Sequence, residues 1–319
     1  MAEHTLTAEP THSTWDRTLP PRLHIASNDT VHYECADASG GQVHPGMTVD
    51  DYQSIDRTRI HALTGPVAIE GAEPGDVLEI GVLRTQHRGW GWSSIIPGLG
   101  FLKERFNQPH LFHWQLDGNE TRSLAPAIVP IRPFLGVMGV ARADDGSFRT
   151  RPPGPFGGNM DVRELCAGSR LYLPVLVPGA LFSCGDGHAA QGDGEVCING
   201  IECPLDVTLS FRLHKQQPLS GPIVESSESV APDTRPGTSS DAWVIVESAE
   251  DPASAARAAT NRMIDLLTNR WGFASTDAYI LCSVALRLRL SQVVNEPMYT
   301  VSGSIAKSIL PDRELYPVY

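Results

Sequence analysis

Between positions 185 and 195 the chain reads Gly185-Asp186-Gly187-His188-Ala189-Ala190-Gln191-Gly192-Asp193-Gly194-Glu195, three carboxylates and an imidazole spaced by small residues. In extended backbone, residues two apart project to the same side. Asp186 is therefore expected to share a face with His188, and Asp193 with Glu195. Gly187, Gly192 and Gly194 permit positive-φ turns that would fold the two pairs towards each other. Like charges brought that close are unfavourable unless a cation or a shared proton compensates them, and a divalent metal is the simplest compensation. A fourth acid, Asp161, closes the upstream segment Gly157-Gly158-Asn159-Met160-Asp161.

Imidazole mixed with carboxylate oxygen, without a cysteine pair, suits zinc, iron or manganese, whereas all-oxygen ligation suits calcium or magnesium. The expectation is zinc in an open site held by Asp161, Asp186 and His188, with a water in the remaining position whose pKa falls towards about 7. Calcium is retained as a second or structural ion. Glu195 is the expected general base, a role that needs a carboxyl in a dry pocket. On the residues alone three readings stay open: a catalytic metal, a structural cation, and ordinary Asp-Gly turns.

Around this centre His61 is a candidate to approach the metal or orient substrate, or else a core histidine. Asn159 could donate to a carbonyl oxygen, and Gln191 could bond a substrate amide. Trp90 and Trp92, on one face of an extended segment, could wall a small apolar pocket or belong to the core. A covalent mechanism is disfavoured, because a Cys or Ser nucleophile of the amidase type needs an activating lysine. The only lysines, Lys103, Lys215 and Lys307, lie near no such nucleophile in sequence. Neither a Gly-x-Ser-x-Gly elbow nor a phosphate-binding glycine loop occurs.

Taken together, residues 157–161, Gly179-Ala180-Leu181-Phe182 and 185–196 resemble the acetamidase/formamidase family, as do 61–66, 70–76 and Gly89-Trp90-Gly91-Trp92. The similarity runs from about residue 20 to the end. It implies a mainly β fold, a bound divalent metal, and hydrolysis of short linear amides such as formamide or acetamide to carboxylate plus ammonia. One departure follows Glu195: family members often carry Gly-Thr-Ala-Ile-Glu after Gly-Asp-Gly-Glu-Val, where this chain has Cys197-Ile198-Asn199-Gly200-Ile201-Glu202. The substrate is thereby left open to a bulkier amide, a carbamate or a urea-like compound. The rival reading from another class is a β-sandwich binding protein whose acidic loop holds calcium without turnover.

The elements that must position these residues are mostly strands. Twenty-nine glycines and 25 prolines punctuate short β-branched or alternating segments, which predicts strands over 22–26, 30–36, 67–70, 76–85, 111–116, 169–177, 205–213 and 243–247. The strand at 76–83 is expected to be buried on both faces. The apolar run 171–184 is broken by Pro174 and Pro178 into a strand pair and is not a membrane span. After the Ser/Pro-rich stretch 226–240 the pattern changes. Asp251-Pro252 starts a helix that ends near Trp271-Gly272. A second helix, 278–293, is apolar nearly all round and is expected to be buried against a sheet. A strand at 299–309 follows. The fold class is therefore mainly β, a sandwich or barrel-like core with a small C-terminal α+β element containing two helices. The expected division is a flexible or partner-contacting arm at 1–14, a body at 15–240 carrying the metal site, and a C-terminal segment at 241–319 packed on it.

Composition bounds the partners. With 41% hydrophobic and 19% charged residues over 319 positions, the chain can build a sizeable core. A net charge of −12 argues against nucleic acid or an anionic membrane surface. Six cysteines without a Cys-x-x-Cys pair, after an N-terminus with no apolar run, point to reduced thiols in a cytoplasmic protein. The apolar second helix and the Pro-rich arms suggest a homo-oligomer.

Overall fold

The computed structural model describes residues 1–227 and 241–316. Most of the stretch 226–240, expected to mark a boundary, lies outside the described residues. Two sheets face each other across one core. The larger has nine strands in the order Glu3–Leu6, Thr30–Cys35, Leu205–His214, Val77–His87, Arg170–Pro174, Ile223–Glu225, Ala242–Ala249, Tyr299–Ala306 and Arg287–Gln292. The smaller runs Gly157–Asn159, Phe134–Gly139, Phe182–His188, Leu63–Ile69 and Leu23–Ile25. The fold is mainly β with a helical element near its C-terminal end, as the residue pattern predicts.

Alternation decides which strand faces do the packing. Along Leu205–His214, Leu205, Val207, Leu209 and Phe211 are buried while the residues between them are more open. Phe211 meets Phe182 of the smaller sheet edge-on at 5.3 Å, and Tyr33 meets the same ring at 6.4 Å. Each fully buried side chain of this size contributes about 1.5–3 kcal/mol. The strand Val77–His87 is buried at five of its first six residues, with Glu79 half-buried. The apolar run 171–184 does hold two strands, one in each sheet.

Three expectations need correction. The first residues are not a loose arm, because Glu3–Leu6 pairs in parallel with Thr30–Cys35. The second C-terminal helix, Ser275–Ala285, stops eight residues short, and Arg287–Gln292 is the edge strand of the large sheet. Its sequence Arg-Leu-Arg-Leu alternates with period two, the strand signature. Nor is that helix buried all round: Ala278 and Cys282 face the core while Tyr279, Ile280 and Val284 are exposed. The first helix, Pro252–Trp271, begins and ends as expected. The Asp251 carboxylate accepts from the Ser254 N–H at 2.9 Å, and Gly272 closes the helix in a left-handed conformation, φ 76°. It packs Ala255, Ala259, Met263 and Leu267 on Trp243, Ile245, Val301 and Ile305. No described helix is long and apolar enough to cross a membrane.

Candidate active site

Strand Phe182–His188 lies at the centre of the smaller sheet, antiparallel to a neighbour on each side. Its Gly-Asp-Gly-His sequence is explained by crowding on one face. A β-carbon on Gly185 would stand 2.6 Å from the Ala62 carbonyl, and one on Gly187 would stand 2.5 Å from that of Cys203. The other face carries Asp186 and His188, with His188 Nε2 3.7 Å from Asp186 Oδ1. That pair comes together as the two-residue spacing predicts, on a strand and not in a loop. On the adjacent strand Gly136 forms the floor: a β-carbon there would lie 2.6 Å from Asp161 Oδ1, 2.7 Å from Asp186 Oδ2 and 3.1 Å from His188 Cε1. The Gly136 carbonyl also accepts from the N–H groups of Met160 and Asp161, which fixes Asp161 over the same spot.

A chain of hydrogen bonds sets the state of His188. The Gln191 amide nitrogen donates to the carbonyls of Asp161 and Ser291 at 3.0 and 3.1 Å. Its oxygen is then the acceptor towards His188 Nδ1 at 2.8 Å, so Nδ1 carries the proton and Nε2 faces the acids. Nε2 lies 2.9 Å from Glu202 Oε1 and 3.8 Å from Glu195 Oε1. Glu202 is held by backbone pairing on both sides, to Trp92 and to His188. Asn295, from the C-terminal segment, donates to Asp161 Oδ2 at 2.5 Å.

Four buried carboxyls thus face two imidazoles, His188 and His61, the latter with Nε2 4.0 Å from Asp186 Oδ2. Burial pushes Asp161 up to about 7, with Asp186 adding to the effect and His188 opposing it. Burial likewise lifts Glu202 to about 8, and raises Glu195 well above the carboxylate range with help from Asp161 and Glu202. Asp186 goes the other way, because His61 and His188 outweigh its burial. His188 is lowered by burial but raised more by Glu202 and Asp186. Burial keeps His61 low and neutral.

These groups fit a divalent ion. Asp161, Asp186 and His188 bring ligand atoms within 4.8 Å of one another, and so do His188, Glu195 and Glu202. Asp161 Oδ1 and Glu202 Oε2 are buried without a hydrogen-bond partner among the described residues. A cation would satisfy the orphaned oxygens and offset the crowded negative charge. Backbone conformation marks the same residues: Asp161, Asp186 and Glu195 have φ of 52°, 59° and 48°. Left-handed conformations cost non-glycine residues about 1–2 kcal/mol each, and they gather where function demands a geometry.

A cavity of about 170 Å³ opens on this cluster, lined among others by His61, Trp92, Asn159, Asp161, Asp186, Glu195 and Glu202. Asn159 is buried there, its side-chain oxygen without a partner among the described residues. Trp90 is absent from the lining and packs on the small core around Trp92. Gln191, expected to meet substrate, has its oxygen and both carbonyl-directed bonds engaged within the protein. Asp193 does not follow Glu195 into the cluster; it lies 3.0 Å from Arg163 and 3.4 Å from Arg289. Gly194, at φ 88°, breaks the alternation between them. Sequence reasoning missed Glu202, Gly136 and Asn295. Only Glu202 carried a signal, as a lone acid in an otherwise uncharged run after Glu195.

The family model described as the acetamidase/formamidase family matches residues 2–145 and 141–311. A formamidase of Methylophilus methylotrophus is 29% identical over 245 residues, covering 59% of this chain and 60% of that protein. The chain's matches span about three fifths of the length of such curated relatives. Solved structures match end to end. An acetamidase from Bacillus halodurans has 33% identity and a TM-score of 0.86, over 96% of this chain and 98% of that one. An acetamidase from Yersinia enterocolitica has 30% identity and a TM-score of 0.86, over 97% and 93%.

Proposed function

Since this chain belongs to the acetamidase/formamidase family, we propose that it hydrolyses a short linear amide to carboxylate and ammonia with a divalent metal, zinc by preference, at the buried acid cluster. The observation that carries this reading is the surplus of charge: four buried carboxyls against two imidazoles, on a cavity sized for a small molecule. Asp161, Asp186 and His188 would hold the ion, with Glu202 available to it across Nε2 of His188. When bound, the ion supplies Lewis acidity towards the amide carbonyl and lowers the pKa of water.

The chain's own residues do the rest. Glu195, raised by burial and by its neighbouring acids, takes a proton from the attacking water and delivers it to the leaving nitrogen. Asn159, through the amide group facing the cavity, orients the substrate. Neutral His61 is fixed by the Thr150 hydroxyl at 3.2 Å from Nδ1, leaving Nε2 towards Asp186. Trp92 and Tyr52, ring centroids 5.6 Å apart, close the cavity wall and keep bulk water out. We further assign the chain to the cytoplasm, which its six free cysteines favour. A homo-oligomer is favoured by the exposed Tyr279, Ile280 and Val284.

The test is ammonia release from formamide and acetamide, with metal content measured on the same sample. Activity should vanish on chelation and return with zinc. Glu195→Gln should keep its metal and lose about 10²–10⁴-fold in kcat. Full activity in Glu195→Gln would remove Glu195 from the base role. Calcium as the only bound metal, with no amide turned over, would favour the calcium-holding binding protein.

A further inference from the structure

The same cavity also has basic residues in its lining. Arg57, Arg149 and Arg151 all line it together with the buried acids. Arg149 and Arg151 flank Thr150, whose hydroxyl is bonded to His61, so this short segment ties the arginines to the edge of the acid cluster. Arg57 is steadied over the Tyr52 ring, 5.0 Å from its centroid. Arg151 is half-buried, and burial together with its neighbours Arg149 and Arg57 pulls its pKa down. The carboxylate that acts on it, Glu296, is already paired with Lys103 at 2.9 Å. Three guanidinium groups concentrated on one small cavity are not needed for formamide or acetamide, which are neutral and have at most four heavy atoms.

We propose that Arg151, with Arg57 and Arg149, selects amides that carry a second, anionic group, and that the preferred substrates are monoamides of short dicarboxylic acids. A planar guanidinium matches a carboxylate in two-point contact. The size agrees: a cavity of about 150 Å³ accepts benzene with its six carbons, so 170 Å³ takes about seven heavy atoms. Malonamate has that number. Its hydrolysis breaks the C–N bond, forms a C–O bond from water, and gives malonate dianion plus ammonium with no redox change. The inference rests on the amide-hydrolase reading above for turnover, though not for anion binding.

Two readouts on the full-length, zinc-loaded protein decide it. The first is the ratio of kcat/KM for malonamate to that for propionamide, expected to exceed about ten. In Arg151→Met the ratio should fall by about ten- to a hundred-fold, the scale of one charge-assisted contact, and Arg151→Lys should recover part of it. The second is the rise in Tm caused by malonate, present in the unmutated protein and lost in Arg151→Met. A wild-type preference for propionamide, or a ratio untouched by Arg151→Met, overturns the proposal. So does an equal malonate response in both proteins. If no amide is turned over, the hydrolase reading fails by itself, and the malonate response still decides the anion site.

Discussion

Two clusters in this molecule combine a histidine with carboxylates, and they are built on opposite principles. Around His214, Glu79 meets the imidazole at 2.7 Å, Glu225 accepts from Tyr172, Arg170 and Lys307 at 2.7–3.0 Å, and Lys307 also reaches Asp241 at 2.9 Å. Burial raises Glu225, but Lys307 and Arg170 outweigh it and hold the carboxyl below its ordinary value. Around His188, among the described residues, no lysine or arginine pairs with the four acids, and three of the four are raised. The cavity beside the His214 cluster is about 700 Å³, far larger than the 170 Å³ at the other. Charge balance, and not room, separates them: the acids of one cluster are matched by the protein's own cations, while those of the other are raised by burial and by one another.

The strongest blow to the His188 cluster needs no change of charge. Gly136→Ala should push a methyl group among Asp161, Asp186 and His188, strip the metal, and cut kcat/KM by about 10²-fold or more. Metal content beside ammonia release would show it, and a fully metallated, active Gly136→Ala would mean the cluster is not the metal's seat.

Next in size is opposite pH dependence in the two clusters. Asp161 at about 7 and Glu202 at about 8 lie above their unfolded values near 4. Their stabilisation of the metal-free protein is fully present below about pH 4 and is lost as pH rises through 7 and 8. Glu225 is depressed, so its contribution is present above about pH 4.5 and disappears as pH falls. The metal-free chain should therefore melt lower at pH 8.5 than at pH 5.5. Zinc should raise Tm more at the higher pH, where protons no longer compete for the ligands. A zinc-induced shift that is larger at pH 5.5 would contradict the assignment of these acids.

The smallest effect belongs to the balanced cluster. Lys307→Met should cost about 1 kcal/mol, seen as a Tm lower by a few degrees, and should leave kcat/KM for amides where it was. A tenfold loss of turnover would show that the two clusters are not independent.

How much of this was legible follows from what each residue depends on. Asp186 and His188 were readable because strand parity is local, and the cap at Asp251 because it needs only its own helix. Asp193 was misjudged because one positive-φ glycine inverts the parity, and sequence does not say which glycine takes that turn. The end of the second helix is hidden because its apolar content runs on into the period-two pattern of Arg287-Leu288-Arg289-Leu290, which sits on the edge strand. Gly136 and Asn295 were invisible for a different reason. Their roles exist only through contacts with residues 25 or more positions away, which sheet order creates and spacing does not record.

The hydrogen bond from Asn295 to Asp161, and that from Gln191 to the Ser291 carbonyl, also impose an order in time. Synthesis delivers the acids of the cluster first and these two supports about a hundred residues later. A nascent chain arrested before Ser291 has His188, Asp186, Glu195 and the Gly136 carbonyl that fixes Asp161, but lacks the bonds that Asn295 gives to Asp161 and that Gln191 gives to Ser291.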